Sequence, residues 1–588
     1  MQIKNNPFSI PSYLWSWVGM CSWTFISACH FNQEVADTIL FNGKLITVDK
    51  DFSLMEAVSI KGGRILAVGN SEEILSGKGD STVIIDLKGH AVIPGIIEGH
   101  SHLIAASKSE FFDEIPVIGN VEETLEWISA EVRNIDPGEW IIHPKFFFTR
   151  LEEMRQLTKM ELDAVAPDNP VFLNGSYGGM VNTKALEVSG MMDSNHSGIL
   201  KDSNSGEATG MIRSSAFKLL PIEDKLSDLS MEQQLKALQS LILNYNKIGI
   251  TSVVSGKGTL KELELFGQLK DKNALNIRVF HNIMYPYHPD ATTEELRAAV
   301  KDIGYKTEDG DEWIKIGALK TVLDGGVLTG TAFLRAPWGE VAREVYGITD
   351  NEYRGELFHS KETLVQMITV AEELGWKFTA HVTGGGAVDT LLAAFEAVNH
   401  VNPIDKKRFS IIHGNFFTSE AIKKMAQLGI YADMQPAWFF KDTQLLLKVL
   451  GQERMQTFHP YHSMMEAGIM VNGGSDHMVK LDPETSINPY NPFLGMWSVI
   501  TRKTERGDII NPSEAISRRN ALEMYTINNA YASFEEDIKG SIEEGKLADL
   551  VVLSDDLLSC PESQIRRITP VLTLIDGRVV YDSGVLSR

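Results

Sequence analysis

The chain has 588 residues, 43% hydrophobic and 23% charged, an ordinary globular balance, too long for one minimal domain and long enough for a large core. Its formal net charge of −23 argues against nucleic acid or a bare anionic membrane surface as a partner. With only Cys21, Cys29 and Cys560, it can build neither a disulfide framework nor a cysteine-rich zinc site, so any metal must be held by histidine, carboxylate or something rarer.

At the N-terminus, Lys4 precedes "PSYLWSWVGMCSWTFISAC", an aromatic and mostly apolar stretch ending in small residues. Residues 1–29 read as a bacterial secretory signal whose "ISAC" resembles a lipobox. The expectation is an exported, periplasmic or cell-envelope lipoprotein, attached to the membrane through a lipidated Cys29. The alternative is an interfacial or disordered tail, or a misassigned start, on a cytoplasmic protein. No other stretch is long and apolar enough to span a bilayer.

Residues 37–70 alternate short β-rich runs with tight turns: Asn42-Gly43 inside "ADTILFNGKLITVD" and Gly62-Gly63 both signal hairpins. The C-terminal end repeats the pattern, with Asp576-Gly577 as the turn of "VLTLIDGRVVYDSG". Residues 37–91 and 540–588 are therefore expected to form one composite β-sandwich.

Between these ends, apolar strand-like runs lie at about 92–99, 248–255, 276–285, 314–322, 377–381, 408–413, 429–434 and 469–475. Helix-like segments such as 360–375, 387–400 and 419–429 separate most of them. Eight such β/α alternations predict a (β/α)8 TIM barrel over 92–103 and 246–539. The stretch 104–245 is too long for a loop and carries its own strand-like run at 169–176, so it reads as an insertion subdomain after the first barrel strand.

In such a barrel the active site sits at the C-terminal strand ends. The first run ends at His100 and His102, the fourth at Lys320, the fifth at His381, the sixth at His413 and the eighth at Asp476. Residues two apart on a strand share a face, so His100 and His102 can both address one metal, and His381 and His413 can complete it or supply a second. Histidine and carboxylate with an open water position is the catalytic zinc pattern. Asp476 is suited to take a proton from the attacking water and pass it to a leaving nitrogen. Lys320, beside cations and buried, favours its neutral form, which can take up carbon dioxide as a bridging carbamate. Taken singly, each residue has a plainer reading, as a polar strand end, a salt-bridged surface group or a satisfied core histidine; their succession on separate strands carries the signal.

"AVIPGIIEGHSHL", "KFTAHVTGGGAVDTLLAAFEAV", "RFSIIHGNFFTSEAIKKMAQLGIYADMQPAWF" and "GIMVNGGSDHMV" resemble the first-, fifth-, sixth- and eighth-strand motifs of the amidohydrolase superfamily, in its YtcJ-like branch with the N-substituted formamide deformylases. The resemblance extends over roughly residues 37–585. It implies metal-dependent hydrolysis with His100, His102, His381 and His413 as ligands, Lys320 as a carboxylated bridging ligand, and Asp476 as catalytic base and metal ligand. The sequence departs from the branch at Ile412, where glutamate is usual, and at Tyr177, where a histidine is usual. Tyr177 is a candidate substrate contact. His477 either touches substrate or faces the helix layer.

The expected function is hydrolysis of a non-peptide carbon–nitrogen (amide) bond in a small molecule by attack of metal-bound hydroxide, with one or two Zn2+ as the divalent metal. The alternatives are a mononuclear deaminase of the same superfamily and a non-catalytic, lipid-anchored binding protein on this scaffold. A homodimer is the oligomer considered.

Overall fold

The computed structural model describes residues 34–223 and 226–586. The segment read as a signal with lipidated Cys29 lies outside the described residues. No helix among the described residues is long and apolar enough to cross a membrane.

Eight parallel strands form the central sheet in strict chain order: β1 (Ile96–Ser101), β2 (Ile250–Gly258), β3 (Arg278–Met284), β4 (Ile314–Val322), β5 (Phe378–Val382), β6 (Ser410–His413), β7 (Tyr431–Met434) and β8 (Val471–Gly473). The sheet closes on itself between β8 and β1. The Asp476 amide donates to the His100 carbonyl at 2.8 Å, and the Asn529 side-chain amide donates to both Ile97 O at 2.6 Å and Gly473 O at 2.8 Å. Gly99 is glycine for this reason: a Cβ there would meet Gly473 O at 2.6 Å and Asn529 Oδ1 at 2.5 Å. The chain thus forms the TIM barrel that its β/α alternation predicts.

The outer helices show why they form. Ser360 caps Lys361–Glu373 through the Thr363 amide, and Thr418 caps Ser419–Leu428, which ends at Gly429 in the left-handed conformation. Met231–Lys247 starts in a capping box of Ser230 and Gln233. Although it falls inside 104–245 in sequence, its buried Leu235, Leu238, Leu241, Ile242 and Tyr245, at helical spacing, join the barrel core.

Two further sheets come from the chain ends. One has four strands in the order Arg64–Gly69, Ala57–Lys61, Thr38–Phe41, Val83–Asp86. The other has six: Arg578–Asp582, Pro570–Ile575, Leu550–Leu553, Ala91–Pro94, Lys44–Ile46 and Leu54–Met55. Leu40, Ile60, Val92, Leu550 and Leu572 pack in one apolar cluster between them. The Gly62-Gly63 and Asp576-Gly577 turns are hairpins, pairing Lys61 with Arg64 and Ile575 with Arg578.

Two sequence expectations are corrected. Asn42-Gly43 does not close a hairpin: Thr38–Phe41 and Lys44–Ile46 belong to different sheets, and the chain crosses between layers there, with Gly43 pressed on Leu87 where a Cβ would sit 2.5 Å from Cδ1. The run expected at 92–99 is two strands, Ala91–Pro94 in the six-stranded sheet and β1 in the barrel, broken at Gly95. A continuous apolar run carries no mark of which sheet each half will join.

After β1 a five-stranded sheet forms in the order Ile199–Lys201, Ala208–Arg213, Gly178–Val181, Val171–Asn174, Ile141–His143. Its apolar residues pack with those of the long helix Pro436–Met455 that follows β7, at the barrel's C-terminal face. Arg150 locks this contact: its guanidinium forms a bidentate pair with buried Asp442 at 2.7 and 3.0 Å and also donates to Asn488 Oδ1 at 3.1 Å.

Candidate metal centre

At the C-terminal mouth of the barrel, His100, His413 and Asp476 each place a ligand atom within 4.8 Å of the others, and all three are buried. His102 Nε2 lies 3.2 Å and His100 Nε2 3.6 Å from Asp476 Oδ1. Lys320 Nζ is 3.2 Å from His100 Nε2. The His381 ring lies 4.7 Å from that of His413, centre to centre, with its Nε2 3.3 Å from the Gly325 carbonyl. The strand ends thus bring all six expected residues to one place, with His102 and His381 flanking the tightest three.

Backbone geometry singles out two of them. His413 has φ +70° and Asp476 φ +57°, left-handed conformations that side chains other than glycine rarely adopt. Such strain persists where the surroundings enforce it, and it clusters at functional sites. Close approach matters on the neighbouring strand as well: a Cβ on Gly256 would sit 2.5 Å from the His100 ring.

The electrostatics suit cation ligation. Burial is the first cause pushing His100, His102, His381 and His413 below the ordinary imidazole range, so they are neutral donors at pH 7. Burial alone would raise Asp476, but His102, His100 and Lys320 outweigh it and hold the carboxyl below its usual value. Burial lowers Lys320 to about 8, against the pull of Asp476 and Asp433. Despite its two imidazole neighbours, the buried Asp476 Oδ1 accepts no well-directed hydrogen bond. A buried carboxylate oxygen left without a donor, facing neutral imidazole nitrogens, fits a divalent cation.

Supporting residues complete the shell. Gln435 Oε1 lies 2.5 Å from His413 Nδ1, while the same amide donates to Asp433 Oδ1 at 3.1 Å. Because that oxygen can only accept, Nδ1 carries the proton and Nε2 keeps its lone pair for a metal. Asp433 Oδ2 sits 3.4 Å from His100 Nδ1. Glu98 receives the His100 and Ser475 amides at 3.1 and 2.7 Å. Asp324 receives the amides of Thr383 and Gly384 at 2.8 Å and of Phe333 at 2.9 Å. The "TGGG" turn is therefore a carboxylate-anchored strand-to-helix turn that steadies β5 behind His381.

A cavity of about 620 Å3 opens over these groups and is lined by Tyr177, Trp438, Lys145 and Lys257 among others. The Trp438 ring stacks on His413 at 4.3 Å, tilted by 14°. Tyr177 stands over His381 with ring centres 5.2 Å apart. His477, offered as a substrate contact, does not line this cavity. Its Nδ1 meets the Tyr245 hydroxyl at 2.9 Å, its Nε2 the Lys480 carbonyl at 2.6 Å, and its ring stacks on Tyr490 at 4.1 Å. The residue next to Asp476 in sequence points the opposite way because alternate side chains of an extended chain face opposite sides.

Sequence reasoning missed Asp433, Gln435, Lys145 and Trp438. The rule that found the histidines, a polar residue at a strand end, also applies to Asp433 and Gln435 at the end of β7 and could have found them. Trp438, inside a helix, and Lys145, in the insertion, carry no such signal.

The model of the amidohydrolase family matches residues 83–581. The chain is 28% identical over 562 residues to the N-substituted formamide deformylase of Arthrobacter pascens, covering 93% of this chain and 99% of that one. It is 26% identical over 556 residues to the Bacillus subtilis (strain 168) protein YtcJ, again covering 93% and 99%. Among solved structures, an uncharacterized metal-dependent hydrolase from Pyrococcus horikoshii superposes with a TM-score of 0.65 at 22% identity, over 90% of this chain and 99% of that one, a likeness of fold.

Proposed function

Since the chain belongs to the amidohydrolase family, and with it to the metal-dependent hydrolases of carbon–nitrogen bonds, we propose that it cleaves a non-peptide amide with Asp476 as the proton carrier. The observation that carries this reading is Asp476 Oδ1, buried and without a hydrogen-bond donor, between His100 and His102 and within reach of His413.

His100, His102, His381, His413 and Asp476 would hold a divalent cation, zinc by the chemistry of the donor set, which when bound makes water more acidic and polarises a carbonyl. Asp476 stands where it can accept the proton of the attacking water and return it to the departing nitrogen. Its carboxylate is anchored for that task by Asn488, whose amide donates to the Asp476 carbonyl at 2.8 Å. Trp438, lying flat on His413, keeps bulk water from that side of the site. Lys320 is the position for a bridging carbamate: its amine faces His100 and makes no salt bridge among the described residues. Carboxylation would form one nitrogen–carbon bond to carbon dioxide and release one proton. 13C-labelled bicarbonate should give a carbamate resonance that the Lys320→Ala variant lacks.

The test is a screen of the purified, metal-quantified protein against N-acyl and N-formyl amines, repeated with Asp476→Asn. Turnover of at least one amide is expected, with a loss on the order of 10²- to 10⁴-fold in the variant while it still binds metal. An Asp476→Asn protein that hydrolyses amides as well as the parent would remove the role assigned to Asp476.

A further inference from the structure

Three cations stand on the wall of the cavity outside the metal centre, and they are not equivalent. Arg150 is already matched by Asp442. Lys145 is not. Its ammonium hydrogen-bonds the hydroxyl of Ser176, and no carboxylate among the described residues lies within ion-pair distance of it. Lys257, near the end of β2, is exposed on the cavity side and is likewise without an ion-pair partner among the described residues.

The hydroxyl that meets Lys145 is held in place by a strained turn. Ser176 has φ +74°, and its amide is fixed by Asn174 Oδ1 at 2.9 Å. A non-glycine residue kept in this region at a ligand cavity is a mark of function. Burial lowers Lys145 to about 8, with Asp476 pulling upward and Arg150 and Lys257 pushing down, so the amine is still largely protonated at neutral pH. A partly desolvated cation without a counter-charge is costly in a cavity wall unless a ligand supplies the charge. The contrast with the whole chain is sharp: the protein carries a net charge of −23, yet this pocket presents Lys145 and Lys257 unpaired.

We propose that the substrate is an amide bearing a carboxylate, such as an N-acyl amino acid, with the carboxylate held by Lys145 and Lys257. The site spans two parts of the chain, the insertion carrying Lys145 and the barrel carrying Lys257, so the ligand sits across their junction. Phe147, Phe217 and Trp438 line the rest of the cavity and suit an apolar acyl group. This inference rests on the amide-hydrolase reading and narrows it to a substrate class.

The test uses the full-length, metal-loaded protein and two matched pairs of probes, N-benzoylglycine with N-ethylbenzamide and N-hexanoylglycine with N-ethylhexanamide. Affinities are taken by titration calorimetry, and turnover is followed in parallel. In at least one pair the acid should bind about tenfold or more tightly than its neutral partner, a difference of about 1.4 kcal/mol. That ratio should fall about tenfold in Lys145→Met, fall in the exposed and fold-neutral Lys257→Met, and be retained in Lys145→Arg. Equal binding of acid and neutral partner in both pairs, or an acid preference that survives Lys145→Met, overturns the proposal. Hydrolysis of the neutral amides without acid preference would sink the carboxylate site and leave the amidase reading standing. Acid-selective binding dependent on Lys145, with no hydrolysis of any probe, would support the site and sink the amidase reading.

Discussion

At Tyr177, burial first, and then the carboxylates of Asp324 and Asp476, push the phenol far above its ordinary range, so the hydroxyl remains a donor at any working pH. It stands beside His381 on the cavity wall, where it can donate to a carbonyl oxygen that gains negative charge. Tyr177→Phe should therefore lower kcat by about 10- to 100-fold while changing KM little, as steady-state kinetics on the best amide from the screen would show. An unchanged kcat would reduce Tyr177 to a packing residue. The six presumed ligands were legible in the sequence because each closes a strand and strand ends share a rim. Tyr177 was legible only through its place in a resembling motif. Lys145 was not legible at all, because the insertion that carries it has no period that says which side chains will face the barrel. His477 was misread for a related reason: adjacency to Asp476 in sequence means opposite orientation in an extended chain.

At the scale of elements, the insertion is held over the barrel by a single strong polar lock, Arg150 with Asp442, the latter almost wholly buried within the helix Pro436–Met455. Removing the cation leaves an uncompensated carboxylate inside, so Arg150→Met should destabilise the protein by about 3–5 kcal/mol, measured by denaturant titration. Asp442→Asn combined with Arg150→Met should recover part of that loss, because no charge is then left buried without its partner. The anchored turn after β5 makes a second prediction. Asp324→Ala removes an acceptor shared by three amides, and should lower both the melting temperature and the occupancy of the metal site through His381. The strands and helices of the barrel could be read from apolar runs and caps, whereas neither lock could. Arg150 and Asp442 are 292 positions apart, and only the fold makes them neighbours.

For the molecule as a whole, burial holds two imidazoles outside the metal centre, His143 and His281, down to about 4. An unfolded chain protonates them near pH 6.5, so between about pH 6.5 and 4 the unfolded state binds protons that the folded state refuses, and stability falls as pH falls. Replacing His281 by Gln should flatten that acid limb by about 1.4 kcal/mol per pH unit, seen in urea unfolding at stepped pH. An unchanged slope would mean that His281 titrates normally in the fold. The closed barrel was legible from eight alternations, and the sandwich from its two β-rich ends. The crossing at Asn42-Gly43 and the break at Gly95 were not, since a local turn signal or apolar run does not say which layer the next strand joins. The most direct measurement is anomalous diffraction at the zinc edge from crystals of the zinc-loaded protein. A peak bounded by His100, His413 and Asp476, lost in His413→Ala together with amide turnover, is the expected result. A protein that hydrolyses amides with no metal peak among these residues, or with its peak elsewhere, would contradict it.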